Sequence, residues 1–182
     1  MKKTILLFAV CLLYLTCGCD YREIDRGYLV TAIGFSQKDN KTQIYVEALS
    51  SDINNQDSKR EVLVGEGKTE NDALNDLKSQ LVKPLYFEQM GVVAVEKDID
   101  FDYLEFLQNI PNLNYGVYLI KTKDVAALFA ANTPSGILGY DVIGLLKTDN
   151  KDQNQLYRIN QKTFKWYEIN FTNQKLQLAD KE

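Results

Sequence analysis

Histidine is absent from the 182 residues, and cysteine and proline occur only three times each. Without an imidazole there is no Ser-His-Asp or Cys-His relay, no nitrogen ligand for a metal and no side chain that titrates near pH 7 by default. Most hydrolase templates fall away on that ground. A basic excess is also missing: 21 Lys and Arg against 25 Asp and Glu give a net charge of −4. That is the wrong sign for the phosphate neutralisation on which nucleic-acid affinity rests. No apolar run is long enough to span a bilayer, since Thr4 to Leu15 offers 12 residues where a crossing helix needs about 20. What is present is 45% hydrophobic residues, enough for a packed core. With no Pro-rich or Gly/Ser-rich linker between residues 20 and 150, one domain is the expectation.

The N-terminus has the layout of a secretory signal: Met1-Lys2-Lys3, the apolar run, then Thr16-Cys17-Gly18-Cys19 followed by Asp20, Arg22 and Glu23. A small residue directly before a cysteine is the bacterial lipobox, and Gly18-Cys19 fits it. Thr16 stands where an aliphatic residue is usual, with Leu15 one place further back. Cys17 fits less well, and Cys11 lies inside the apolar core of the signal. The alternative is an ordinary secreted protein cut nearby. Cleavage between Gly18 and Cys19 removes Lys2 and Lys3 and leaves 164 residues with a net charge of −6. Its one cysteine would then carry the lipid, leaving none for a disulfide, a zinc site or a nucleophile. Two acyl chains, at about 0.8 kcal/mol per buried methylene, suffice for durable anchoring.

Leu29 to Phe35 and Gln43 to Leu49 read as a hairpin around the polar Gln37 to Thr42. In its second arm Ile44, Val46 and Ala48 alternate with Gln43, Tyr45 and Glu47, a period of two that predicts one wet face. Ser50 to Arg60 is polar and aperiodic and reads as a long exposed loop, ahead of a strand at Glu61 to Gly65. Thr69 caps a helix with Asp72 as capping-box partner. That helix carries Ala73, Leu74, Leu77 and Leu81 on one face and ends at Lys83-Pro84. Gly91 to Val95 reads as a strand buried on both faces. Asp100 caps a helix to Asn109 that turns Phe101, Leu104 and Leu107 inward and closes at Pro111. A strand at Tyr115 to Lys121, a short helix at Asp124 to Ala131 and a helical or irregular stretch at Ser135 to Leu146 follow. Beyond the polar break at 148 to 155, Thr163 to Phe171 suits helix or strand, with helix favoured, and Thr172 to Glu182 reads as a frayed tail. The order ββ(β)αβαβαα implies an α+β fold: one mixed sheet of about five strands with helices packed on it, after the signal peptide.

Three patterns suggest chemistry. Gly65-Glu66-Gly67-Lys68-Thr69 sits where a phosphate-cradling loop belongs, but Val62 occupies the position of its first glycine, and a strand-to-helix turn explains it better. Glu96, Asp98, Asp100 and Asp102 loosely follow a calcium loop without its central glycine and closing glutamate, and acidic residues are favoured at a helix start by the dipole alone. Among aromatics, Tyr86-Phe87, Tyr115, Tyr118 and Trp166-Tyr167 read first as core mass. An enzyme would have to use carboxylates such as Asp98, Asp100 or Asp141, paired across a cleft.

Several stretches, in order, carry a resemblance. They are Cys19-Asp20-Tyr21-Arg22-Glu23-Ile24, Leu29 to Phe35, the EGKT turn and helix of Gly65 to Leu81, and KPLYFEQMGVVAV at Lys83 to Val95. Phe101 to Pro111 and Tyr115 to Leu128 continue it. Together, over roughly residues 19 to 146, they resemble the N-terminal domain of the Ger(x)C family of spore germination lipoproteins, the C subunits of germinant receptors in endospore-forming bacteria. Gln89 stands where many relatives have histidine, Asp20 replaces the tryptophan usual after the lipidated cysteine, and family members carry further domains. The resemblance implies a non-enzymatic subunit without cofactor or metal, lipid-anchored through Cys19 on the outer face of the inner spore membrane, with membrane-embedded A and B subunits as partners. It divides the chain into a signal peptide (1–18), a Ger(x)C-like domain (19–172) and a polar tail (173–182). Lys83, Leu85, Tyr86 and Phe87, with the Ser50 to Arg60 loop, are the candidate partner contacts on grounds of exposure. The competing reading is a stand-alone lipid-anchored binding protein for a small ligand or cell-wall fragment.

Overall fold

The computed structural model describes residues 27–52, 55–97, 99, 103–113, 116–155, 165–172 and 175–178. Residues 1–26, including Gly18 and Cys19, lie outside them, as do Asp98, Asp100, Phe101, Asp102 and Tyr115.

The strands are β1 (Tyr28–Lys38), β2 (Lys41–Asp52), β3 (Asn55–Gly67), β4 (Leu85–Tyr86), β5 (Val92–Glu96), β6 (Gly116–Thr122), β7 (Asn154–Gln155), β8 (Trp166–Thr172) and β9 (Lys175–Leu178). The helices are α1 (Glu70–Ser79), α2 (Tyr103–Gln108), α3 (Val125–Phe129) and α4 (Leu138–Thr148). The sheet runs β3-β2-β1-β5-β6-β8-β9, with β4 beside β1 and β7 beside β6. Its centre is parallel and both ends are antiparallel. The α+β mixed sheet is as expected, but about five strands become seven along the path plus two short ones.

Local chemistry explains the elements. Asp39 and Asn40, at φ 52° and 59°, form the two-residue turn joining β1 to β2; both tolerate the left-handed region that a tight hairpin demands. Thr69 caps α1 through the capping box with Asp72, and Ala73, Leu74 and Leu77 are buried beneath it. The helix stops at Ser79, earlier than Lys83-Pro84, with Gln80 as its C-cap. Gly65 and Gly67 belong to β3 and serve close packing: a Cβ on Gly65 would lie 2.1 Å from the Ala73 carbonyl oxygen, and one on Gly67 2.3 Å from the Ala73 nitrogen.

Three expectations are corrected. Ser50 to Arg60 is not a loop, because β2 and β3 continue through it as a hairpin, pairing Ser50 with Lys59 and Asp52 with Asn55. A ladder is built from backbone groups, which polar residues supply as well as apolar ones. Thr163 to Phe171 contributes a strand in place of the favoured helix: Trp166 packs into one core cluster while Tyr167 and Ile169 pack into the other. That is a period of two, with β8 parallel to β6. The tail from Thr172 contains β9, antiparallel to β8, with Leu176 and Leu178 against the second cluster.

Helices cover both faces of the sheet. On one, Leu74 and Leu77 of α1 with Phe106 and Leu107 of α2 meet Val30, Ile33, Phe35, Ile44 and Val46. On the other, Val125 and Phe129 of α3 with Leu138, Val142 and Leu146 of α4 meet Ala32, Tyr45, Val92 and Ile120. The supposed wet face of β2 is therefore buried, with Tyr45 at 9% and Glu47 at 0% exposure.

Burying Glu47 requires partners, and four donors supply them. Arg60 Nε lies 2.6 Å from its Oε1, and the Thr31 hydroxyl 2.5 Å from its Oε2. The backbone N–H groups of Leu138 and Gly139 donate at 2.7 and 2.8 Å, and the Thr31 hydroxyl also approaches the Glu47 carbonyl at 3.4 Å. Leu138 and Gly139 open α4, whose N-cap Ile137 has no side-chain oxygen to offer. Glu47 supplies from β2 the acceptor that the N-cap itself lacks, beside the acidic Asp141 already in the first turn. Arg60 does the reverse for α3, donating to the Phe129 and Ala131 carbonyls at 2.6 and 3.3 Å, where a helix C-terminus favours a cation. Thr31 reaches Glu47 because the β1–β2 register slips from Val30↔Ala48 to Ala32↔Glu47, leaving Thr31 as a bulge.

Removing one partner of a buried ion pair leaves the other charge uncompensated. Glu47→Ala is expected to lower unfolding free energy by about 3–5 kcal/mol in urea titrations, and Glu47→Gln by less, since the amide oxygen still accepts. A loss below about 1 kcal/mol, the scale of a surface pair, would show that the network contributes little.

Candidate functional site

The principal concavity lies on the α1/α2 face and has a volume of about 590 Å3. One wall is α1, through Asn71, Asn75 and Lys78; the other is the turn after α2, through Asn109, Pro111 and Asn112. Leu74, Phe87, Phe106 and Ile110 form its apolar floor, and the segment from Leu81 to Glu88 closes one end. Val82 stands at that end with 99% of its surface exposed. Asn112 adopts φ 57°, a left-handed turn that asparagine accommodates.

All four candidate contacts meet here. Lys83, Leu85 and Tyr86 are half-buried at the groove. Phe87 is a correction, being only 4% exposed and part of the core; an aromatic after a two-residue strand turns inward to fill the space beneath α1. Sequence reasoning missed the asparagines of the opposite wall and Val82. The signal for the former was Asn71 and Asn75, four residues apart and therefore on one side of a helix.

The groove also lies beside the point where the chain enters the domain. Tyr28 N–H donates to the Pro84 carbonyl at 2.8 Å, and β1 pairs with β4 through Tyr28↔Leu85. Gly27 packs so tightly on this segment that a Cβ there would come within 2.0 Å of the Tyr86 ring.

The other suggested sites come apart. Asp141 is engaged by its neighbouring loop, its Oδ2 accepting from the Ser135 N–H and hydroxyl at 2.9 and 2.7 Å, while Asp98 and Asp100 lie outside the described residues. Burial alone would raise its carboxyl, but the neighbouring Thr133 hydroxyl and the Ser135 donors outweigh it and hold the group below the ordinary value of 3.8. Glu96 borders a polar hollow of about 390 Å3 with Gln37, Asp39, Asn40 and Lys123. Among the described residues no three acidic or cysteine side chains are grouped to hold a metal, and no helix is long and apolar enough to cross a membrane. Tyr118 is buried, and Trp166 takes the Lys121 ammonium 5.2 Å above its ring, so both aromatics are structural.

These features define a mixed α+β sheet domain with a lateral apolar groove rimmed by amides. Residues 20–165 match the family model described as the spore germination protein N-terminal domain, and the chain belongs to that family. The resemblance to Ger(x)C proteins is thereby established, and the match runs past Leu146 to Lys165, ending just before β8. This is a family of germination receptor subunits. No match is found among curated proteins, and none among solved structures.

Because the folded value of Asp141 is depressed, its carboxylate adds stability above about pH 4 and loses it as pH falls through the folded value. Asp141→Asn is therefore expected to be less stable than the parent at neutral pH, with the gap closing on acidification. Chemical denaturation between about pH 3 and 7 measures this, and a gap independent of pH would contradict it.

Proposed function

We propose that the chain acts as a C-type subunit of a spore germinant receptor, held by acyl chains on Cys19 to the outer face of the inner spore membrane, and that it docks with the membrane-embedded A and B subunits through the α1/α2 groove. Family membership supports the receptor role. The observation that carries the docking surface is the contact of Gly27 and Tyr28 with Pro84 to Tyr86. Gly27 lies eight residue steps after Cys19, and a chain extends at most about 3.6 Å per residue. The groove is thus tethered within about 29 Å of the acylated cysteine, where segments of a membrane-embedded partner emerge. A fully exposed valine beside an apolar floor is the composition of a contact surface centre, and neutral amides at the edge suit its polar rim.

A stand-alone binder of a small ligand or cell-wall fragment is the second reading. The volume of about 590 Å3 lies in the range of ligand sites, and the four asparagines offer donors and acceptors to a polar molecule. Val82 argues for the first, since an exposed side chain at the rim gains nothing from a ligand buried beneath it.

Val82→Asp separates these readings, and Cys19→Ala tests the anchor that both share, in spore inner membrane, after crosslinking and mass spectrometry of what is recovered with the chain. Cys19→Ala should shift the chain from the membrane to the soluble fraction. Val82→Asp should leave stability within about 0.5 kcal/mol of the parent, as an exposed substitution does, and deplete A- and B-type subunits from the recovered material. Undiminished recovery with Val82→Asp and with Leu85→Asp would remove the groove as the docking surface.

A further inference from the structure

β3 forms one edge of the sheet, and only part of that edge is covered. Asp76 Oδ2 accepts from the Glu66 N–H at 3.0 Å, and Gln80 Nε2 donates to the Val64 carbonyl at 3.3 Å. Both contacts come from α1, and both identify even-numbered residues as those whose backbone groups point away from β2, because outward and inward groups alternate along an antiparallel strand. Arg60 and Val62 are even-numbered as well. Among the described residues nothing pairs with their outward N–H and C=O groups. Val62 adds an exposed apolar side chain, at 38%. Such an edge is a template for another strand.

We propose that β3 pairs antiparallel with β3 of a second copy of this chain, about a two-fold axis at Arg60. The charge pattern selects this register. With Arg60 opposite its own mate, Lys59 of each copy faces Glu61 of the other, giving two opposite-charge pairs across the axis. The two neighbouring registers that also bring even-numbered residues together put Lys59 against Lys59 or Glu61 against Glu61, and like charges directly opposite are destabilising. Arg60 itself brings no repulsion to the axis, because its guanidinium turns inward to Glu47 and the end of α3. The product is one sheet continued through two domains, an isologous interface in which each residue meets the same patch on its mate. It is separate from the groove and from the anchor.

The test is the mass of the full chain, purified from membranes in detergent, measured by sedimentation across a range of concentrations. A two-copy species is expected. Val62→Pro should give a single copy with unchanged circular dichroism, since the N–H it removes points away from β2 and an edge strand tolerates proline there. Lys59→Glu and Glu61→Lys should each weaken association about tenfold by opposing like charges, and the double swap should restore it. The double swap decides the matter even if the proline variant fails to fold. A single copy at every concentration, a pair that survives Val62→Pro, or a double swap no stronger than the single changes would overturn the proposal.

Discussion

The second face of the sheet depends on one buried carboxylate. Glu47 lies between β1 and β3 and beneath α4, and its oxygens take the Arg60 guanidinium, the Thr31 hydroxyl and the first N–H groups of α4. A charge in such a place is tolerated only when its lone pairs are filled. The donors come from three elements, β1, β3 and α4, so the requirement fixes several placements together. The bulge at Thr31 must be present, α4 must begin at Leu138, and β3 must run far enough back to present Arg60. Gly139 completes the arrangement, since a Cβ there would lie 2.8 Å from the Thr31 carbonyl oxygen. Glycine lets the helix start approach the strand closely enough for both N–H groups to reach Glu47.

Where the sequence was legible, one residue type answered to one local cause. Thr69 with Asp72 announced α1, Asp124 announced α3 by accepting from the Ala127 N–H, and the run Gly91 to Val95 announced a strand buried on both faces. Reading failed where the cause was distant. Glu47 alternates with apolar neighbours as a solvent-facing residue would, and the partners that allow its burial lie at 31, 60, 138 and 139. Arg60 sits in a stretch with the composition of a loop, yet its role is set by Glu47 and by the end of α3. In β8, Trp166, Tyr167 and Ile169 divide between two cores whose helices arise from earlier parts of the chain, so no window on 163 to 171 alone separates strand from helix. The groove was half legible: its KPLYF segment stood out, while the facing asparagines acquired meaning only once α1 and α2 lay side by side.

The two faces are held by different physics, and this bears on where a partner meets the domain. The α3/α4 face is locked by a charge network that tolerates little displacement. The α1/α2 face is held by apolar packing and leaves an opening between its helices. Non-directional packing can be continued by another molecule's apolar groups without leaving buried charge unmatched, so the open face suits recognition. It is also the face beside which the chain enters from its N-terminus.

Helix α1 joins both surfaces. Asn71, Asn75 and Lys78 line the groove, while Asp76 and Gln80 cover the last third of the β3 edge. Its position is constrained from beneath, because Gly65 and Gly67 bring its first turns into backbone contact with β3, and Leu74 and Leu77 anchor it in the core. A helix fixed this closely presents both surfaces preformed, so little ordering cost falls on a partner. The same constraint limits what binding at either surface can transmit. A shift of α1 large enough to uncover Val64 and Glu66 would have to break the glycine contacts and open the core, so the groove and the sheet edge are held as independent surfaces on one rigid support.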